Sequence, residues 1–164
     1  MQVVGIDPGT ATTGYGFVEE TANGELQVID YGVIVTAAKQ PLEKRLQQIY
    51  KQLKELLLLH RPQSGAVEKL FFQNNVTTAM SVGQARGVAM LALAEAGVTV
   101  AEYTPMEIKQ AISGFGGADK SQVQLMVKAL LSLPEIPKPD DAADALAVAI
   151  CHINCKLPRN TDEL

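Results

Sequence analysis

The sequence predicts an α/β fold: a mixed five-stranded sheet, with three antiparallel strands followed by alternating helices and strands, and helices on both faces. Two observations lead to this prediction. Three strand-like stretches separated by short turn signals come first in the chain. From Pro41 onward, apolar residues recur at intervals of three and four, which is typical of amphipathic helices, and two further strand-like runs interrupt those helices.

The first three strands are expected at Val3 to Ile6, Gly14 to Glu19 and Gln27 to Val35. Turn signals separate them, Pro8-Gly9-Thr10 after the first and Asn23-Gly24 after the second. Because both connections are short, the three strands are expected to form an antiparallel meander.

Helices and strands alternate in the rest of the chain, and several of their ends carry recognisable signals. The clearest signal is Thr104-Pro105-Met106-Glu107, a capping box with proline at the first helical position. In chain order we expect a helix from Pro41 that ends before Arg61, a strand from Gly65 to Glu68, a helix from Asn74 or Asn75 to Gly97, a strand from Val98 to Tyr103, a helix to about Ser113, a helix from Lys120 to Leu131 and a last helix from Asp140.

The length of 164 residues and the 47% of hydrophobic residues suit one packed domain. We expect that domain to span residues 1–156 and a disordered tail to span 157–164, where proline and charge occur without periodicity. The N-terminus lacks a basic stretch and a cleavage site, and charges interrupt the longest apolar runs. These features favour a soluble cytoplasmic protein.

The net charge of -4 and the pI near 5.2 argue mildly against a general nucleic-acid binder, which usually carries a basic excess. The objection is limited, because four of the 18 acidic residues are candidate metal ligands. The remaining surface would then be close to neutral, and a local basic patch could still meet phosphates.

Four acidic residues from three distant segments indicate one metal site. Asp7 and Glu68 each end an apolar, strand-like run, whereas Asp141 and Asp144 are three residues apart and would share one face of a helix. If the fourth strand lies parallel beside the first, Asp7 and Glu68 become neighbours. Converging carboxylates repel each other, and oxygen ligands of this kind typically hold Mg²⁺ or Mn²⁺.

Such a site would perform phosphodiester hydrolysis, with two metal ions roughly 3.5 to 4 Å apart activating a water and stabilising the leaving oxygen. Each acid also has an ordinary structural interpretation, as a turn former, a strand-end surface charge or a helix N-terminal acid. Cys151 and Cys155, with His152 beside them, could form a second metal site, although buried free cysteines are common. The glycines around Phe115 match no nucleotide-binding motif and indicate a turn.

Five motifs in this order make the chain resemble the RuvC family of bacterial Holliday junction resolvases, from Met1 to about Ile153. The motifs are Gly5-Ile6-Asp7-Pro8-Gly9 with Thr13-Gly14-Tyr15-Gly16, Val67-Glu68, Gly83-Gln84-Ala85-Arg86-Gly87, Lys120-Ser121-Gln122-Val123-Gln124, and Asp141-Ala142-Ala143-Asp144-Ala145-Leu146-Ala147.

The resemblance implies an RNase H-like fold, a homodimer and two Mg²⁺ ions per active site. It also implies paired symmetric nicks across four-way DNA junctions in recombination and repair, with a RuvA and RuvB branch-migration complex as partner. By motif match, Asp7, Glu68, Asp141 and Asp144 are similar to the catalytic metal ligands of the family.

Four residues are candidates for DNA contact. Lys109 and Lys120 match basic positions that the family uses near the phosphate backbone, and Phe71 matches an aromatic residue near the opened centre of the junction. Lys120 also begins a predicted helix, an unfavourable place for a cation unless an anion is close by. Arg86 lies among small residues, where either an ion pair or a backbone contact would suit it.

Two alternatives remain open at this point. The segment from Asp7 to Gly16 also resembles the phosphate hairpin of the actin, Hsp70 and sugar-kinase ATPases, although 164 residues leave room for only one of their two lobes. A non-catalytic junction-binding module is the other alternative, and the complete set of four carboxylates argues against it.

Overall fold

The computed structural model describes residues 1–70 and 75–156. Its strands are β1 (Gln2–Asp7), β2 (Thr12–Glu20), β3 (Leu26–Val35), β4 (Ser64–Glu68) and β5 (Thr99–Tyr103). They form one sheet in the order β3-β2-β1-β4-β5. The first three strands pair antiparallel, whereas β4 pairs parallel with both β1 and β5, which confirms the expected mixed sheet.

The helices are α1 (Leu42–His60), α2 (Val76–Glu95), α3 (Pro105–Ser113), α4 (Lys120–Leu130) and α5 (Asp140–Lys156). Their N-termini largely follow the sequence signals. Asn75, and not Asn74, caps α2 by accepting hydrogen bonds from the amides of Thr77 and Thr78, and the capping box at α3 is present. A second capping box, formed by Asp119 and Gln122 at the start of α4, was not predicted.

The sheet separates two hydrophobic cores, because its successive side chains point to opposite faces. On one face, Val3 and Ala66 pack with buried residues of α3, α4 and α5. On the other face, Val4, Ile6 and Val67 pack with α1 and α2. Helices therefore cover both faces, as the sequence predicted.

Two glycines bring α5 unusually close to the sheet. A Cβ atom on Gly5 would overlap the main-chain oxygen of Ala145, and one on Gly14 would overlap that of Asp141. The facing side of α5 is rich in fully buried alanines, so backbone can approach backbone. Since Asp7 pairs with Gly14 in the β1–β2 register, this close approach occurs beside the end of β1.

Phe71, Phe72 and the tail 157–164 lie outside the described residues, so the predictions that concern them stay predictions. Within the ranges 1–70 and 75–156, no helix combines the length and the hydropathy that crossing a membrane requires.

Candidate active site

Three of the four predicted carboxylates meet at one end of the sheet. Asp7 ends β1 and shares the face of Val3, which is the face that packs on α5, whereas Asp141 and Asp144 occupy the first turns of α5. One oxygen atom from each of the three lies within 4.8 Å of the others. All three side chains are partly buried, so one cation held there would bind several oxygens at once.

Glu68 lies beside this cluster and is not a member of it. Because β1 and β4 run parallel with Ile6 opposite Val67, Asp7 and Glu68 end neighbouring strands. Glu68 lines a groove of about 710 Å³ together with Asp7, and an adjoining pocket of about 240 Å³ together with Asp144. The position of Glu68 between the two cavities places its carboxylate next to the cluster.

The pKa values record the repulsion between these groups. The pKa of Asp7 is raised from 3.8 to about 8, first by burial and then by the charges of Asp144, Glu68 and Asp141. Burial also raises the pKa of Glu68, against the charges of Lys109 and Lys120, and it raises the pKa of Asp144, against the charge of Lys120. Partly buried oxygens with unbalanced negative charge suit a hard divalent cation, so these residues fit the expected Mg²⁺.

Lys120 has the nearby anion that its position required. Its Nζ lies 3.3 Å from Oδ2 of Asp144 and 3.2 Å from Oδ2 of Asp140, so the first two turns of α5 compensate a cation at the start of α4. The amide of Gln122 at that helix start already donates to the Asp119 carboxylate. About half of the Lys120 side chain remains exposed to solvent.

Lys109 and Arg86 occupy different surroundings. Lys109 projects from α3 and lines both the groove and the adjoining pocket, and its charge lowers the pKa of Glu68 against the effect of burial. Arg86 on α2 forms a 2.7 Å ion pair with Glu102 of β5, and its side chain is 19% exposed. Arg86 therefore forms an ion pair, one of its two expected arrangements, and its Nε also donates to the main-chain oxygen of Glu68.

Two hydrogen-bonded networks near the site were not predicted. Thr10, in the turn after Asp7, and Ser81 on α2 bond to each other through their hydroxyl groups. His152 on α5 bonds to Tyr103 through Nδ1 and to Ser64 through Nε2. The sequence carries no signal for these contacts, because the two members of each pair are far apart in the chain: 71 residues for Thr10 and Ser81, 49 for Tyr103 and His152, and 88 for Ser64 and His152.

The second candidate metal site, at Cys151, Cys155 and His152, does not assemble. Both imidazole nitrogens of His152 are engaged by Tyr103 and Ser64, and burial lowers its pKa to about 4. Among the described residues, the group whose ligand atoms converge is Asp7, Asp141 and Asp144.

Comparison with known proteins identifies relatives over nearly the whole chain. The family model described as "Crossover junction endodeoxyribonuclease RuvC" matches residues 3–152. A protein of that name from Chloroflexus aurantiacus is 57% identical over 152 residues, which cover 93% of this chain and 92% of the relative.

Two solved structures are also similar. The RuvC structure of Thermus thermophilus has a TM-score of 0.88 at 40% identity, and the alignment covers 94% of each chain. The same organism's RuvC in complex with a Holliday junction substrate has a TM-score of 0.86 at 37% identity, again over 94% of each chain. These matches confirm the RNase H-like fold class expected from the sequence.

The raised carboxylate pKa values predict how stability depends on pH when no metal is bound. Between pH 3.8 and about 8 the folded protein holds a proton on Asp7 that the unfolded chain has lost, so the free energy of unfolding falls as pH rises. His152 acts with the opposite sign, but only between about 4 and 6.5, since the unfolded imidazole binds the proton there. The melting temperature of the EDTA-treated protein should therefore fall from pH 6.5 to 8.

The matched variant for this measurement is Asp7→Asn, which keeps the shape of the side chain and removes its charge. It should flatten the pH dependence of the melting temperature, and added Mg²⁺ should flatten that of the wild type. A wild-type melting temperature that stays constant across this window in EDTA would contradict the electrostatic account.

Proposed function

The chain belongs to the RuvC family of crossover junction endodeoxyribonucleases, and we propose that it cuts Holliday junctions at the carboxylate cluster with Mg²⁺ as cofactor. It is an endonuclease that resolves four-way DNA junctions, in recombination and repair. The observation that carries the metal dependence is the convergence of Asp7, Asp141 and Asp144 within 4.8 Å, with Glu68 beside them.

In this proposal Asp7, Glu68, Asp141 and Asp144 hold two divalent cations and are the catalytic residues. Bound cations of this kind lower the pKa of a water and neutralise charge on the leaving oxygen of the phosphodiester. The protein orients the four carboxylates through two parallel strands and one helix, all of which are rigid elements. The raised pKa of Asp7 supports the proposal, because a site so rich in negative charge favours cation binding.

Lys109 and Lys120 are the proposed phosphate contacts. Lys109 lines the groove that also contains Asp7 and Glu68, so its ammonium group can attract a DNA strand towards them. Lys120 lies at the adjoining pocket, where its exposed half can meet a neighbouring phosphate. Phe71, which the resemblance assigns to the opened junction centre, lies outside the described residues, and its stacking role stays a prediction.

The ATPase alternative finds no support at the turn after Asp7. The Thr10 hydroxyl is occupied by Ser81, and the Thr13 hydroxyl donates to the main-chain oxygen of Gly9. Neither side chain is free to bind a phosphate. Family membership favours the nuclease instead.

We also propose a homodimer, because two symmetric nicks require two active sites. The small residues Ala85, Ala89 and Ala92 of α2 cannot form the contact, since they are buried inside the protomer. A different stripe is available. Its members lie four or seven residues apart and project outward from α2, and they are Val76, Met80, Gly87 and Leu91.

Gly87 supports this choice of surface. A Cβ atom there would meet nothing within 4 Å, so the protomer itself gives no reason for a glycine in the middle of a helix. A second helix that approaches closely would supply one.

The RuvA and RuvB complex is the further proposed partner, and DNA metabolism in bacteria would place the protein in the cytoplasm.

The central experiment compares cleavage of a mobile four-way junction with cleavage of linear duplex of the same sequence, with and without Mg²⁺. We expect the protein to cut the junction and not the linear duplex, and to cut only when Mg²⁺ is present. Asp7→Asn, Glu68→Gln and Asp144→Asn should each lower the cleavage rate by more than about 100-fold, beyond the loss that outer-shell changes around a metal typically cause. Junction binding should persist, because each change removes negative charge.

The matched control for these variants is Asp140→Asn. Asp140 precedes Asp141 in the chain but is exposed and lies outside the carboxylate cluster. It should retain activity within a few-fold of wild type. Cleavage by Asp7→Asn at a rate similar to that of Asp140→Asn would refute the site assignment.

The proposed dimer predicts that Met80→Asp combined with Leu91→Asp yields a monomer, since buried charges would face each other across the contact. Light scattering at micromolar concentration measures the mass. The control is Leu58→Asp with Leu59→Asp, which changes equally exposed leucines on α1 and should leave the dimer intact. A wild-type monomer that makes paired nicks at full rate would contradict the proposal.

A further inference from the structure

Helix α2 is hydrogen-bonded to the turn that follows Asp7. The Thr10 hydroxyl donates to the main-chain oxygen of Ser81 at 2.7 Å, and the Ser81 hydroxyl donates to the hydroxyl oxygen of Thr10 at 2.8 Å. Thr10 is 5% exposed, so both bonds are shielded from water and are strong for neutral groups. The end of β1 is thereby attached to one point on α2.

The same helix is attached to the end of β4, five residues further along. The Nε of Arg86 donates to the main-chain oxygen of Glu68 at 3.4 Å, and its terminal nitrogen forms the 2.7 Å ion pair with Glu102. The ion pair fixes the planar guanidinium and so aims Nε at the strand end, while Nη1 donates to the sulfur of Met90. At the same end of β4, the Lys69 amide donates to the Tyr103 oxygen, which completes the attachment to β5.

Arg86 acts from the face of the sheet opposite to the carboxylates. Val67 and Val100 point to the core shared with α1 and α2, and Glu102 follows Val100 by two residues on the same strand. The Glu68 carboxylate, which neighbours Val67, therefore points to the α5 side. Arg86 reaches Glu68 only through the backbone, behind the groove and away from its opening.

We propose that α2 is a brace that steadies the separation of Asp7 and Glu68 beyond the last β1–β4 pair, Ile6 and Val67, with Arg86 and Ser81 as its positioning residues. This inference rests on the proposed function, in which Asp7 and Glu68 bind the same pair of metal ions and must therefore stand at a fixed separation. Ligand geometry must hold within about 0.5 Å for tight binding. The brace thus governs metal affinity, and Arg86 itself contacts neither metal nor DNA.

The sequence analysis predicted instead that Arg86 contacts DNA. A DNA contact and a positioning residue affect different measurements, so the two roles can be separated without any cleavage assay. A phosphate contact contributes to junction binding in the absence of metal, and its loss lowers the slope of log affinity against log salt by about one. Loss of a positioning residue leaves the junction affinity and the salt slope unchanged. It instead weakens metal binding, typically by about 10- to 100-fold for residues that orient ligands.

The experiment measures two quantities for each variant: Mn²⁺ affinity by titration calorimetry without DNA, and junction affinity in EDTA over a range of salt concentrations. Arg86→Met should lose Mn²⁺ affinity by about 10-fold or more and keep its junction affinity and salt slope. Lys109→Met, at the proposed phosphate contact, should show the reverse pattern. Arg86→Lys should not restore Mn²⁺ affinity, because an ammonium cannot hold Glu102 and Glu68 in a fork.

Two milder variants guard against misfolding of Arg86→Met. Glu102 is partly exposed, so Glu102→Gln should fold normally and lose Mn²⁺ affinity by a smaller factor than Arg86→Met. Ser81→Ala removes one of the two bonds to Thr10 and should also lower Mn²⁺ affinity, by a smaller factor than Arg86→Met. Thermal unfolding in EDTA confirms that each variant is folded.

Several results would overturn the inference. One is Arg86→Met with unchanged Mn²⁺ affinity and a reduced salt slope, which would make Arg86 a DNA contact. Another is a lowered melting temperature with Mn²⁺ affinity unchanged in all three brace variants, which would make the contacts merely structural. A wild-type protein that neither binds Mn²⁺ nor cuts junctions would instead overturn the proposed function, and the brace with it.

Discussion

The constraint on which the rest of the structure depends is the mutual repulsion of the carboxylates at the ends of β1 and β4. Asp7, Asp141 and Asp144 converge, with Glu68 alongside, and burial together with the charges of these neighbours raises the pKa of Asp7 to about 8. No element of the fold gains stability from this arrangement while it carries its full charge. The surrounding packing must therefore hold the four groups together until a cation or protons balance them.

The packing of α5 on the sheet keeps the carboxylates together. Gly5 and Gly14 remove side chains where α5 approaches, and the buried alanines of the helix let its backbone lie directly on β1 and β2. A larger residue at either glycine would push the first turn of α5, with Asp141, away from Asp7. The same close contact buries Asp7 and Asp144 and so raises the pKa of each, which makes the packing and the electrostatics two consequences of one geometry.

Much of this was accessible from the sequence, for identifiable reasons. Strands and helices follow local hydrophobic periods, and the parallel pairing of β1 with β4 brought Asp7 and Glu68 together as expected. Contacts that depend on the register of distant elements were not accessible. The partners of Lys120 come from α5, that of Arg86 from β5 and that of Thr10 from α2, and none has a sequence signature. Burial against the protein's own core and close approach of a second helix both select small residues, so the sequence could not separate the buried face of α2 from its exposed one.

Helix α2 lies between the strand ends that carry Asp7 and Glu68 and the surface proposed for the dimer. Its inner side bonds to the turn after Asp7 and to the end of β4, while its outer side carries the stripe proposed for the dimer. A helix is stiff over this length, so a partner that fixes the outer side also restricts motion of the inner one. Assembly would then steady the separation of Asp7 and Glu68 in both subunits together. The proposed dimer contact and the proposed brace would thus act on the same helix, so assembly and metal binding would be linked.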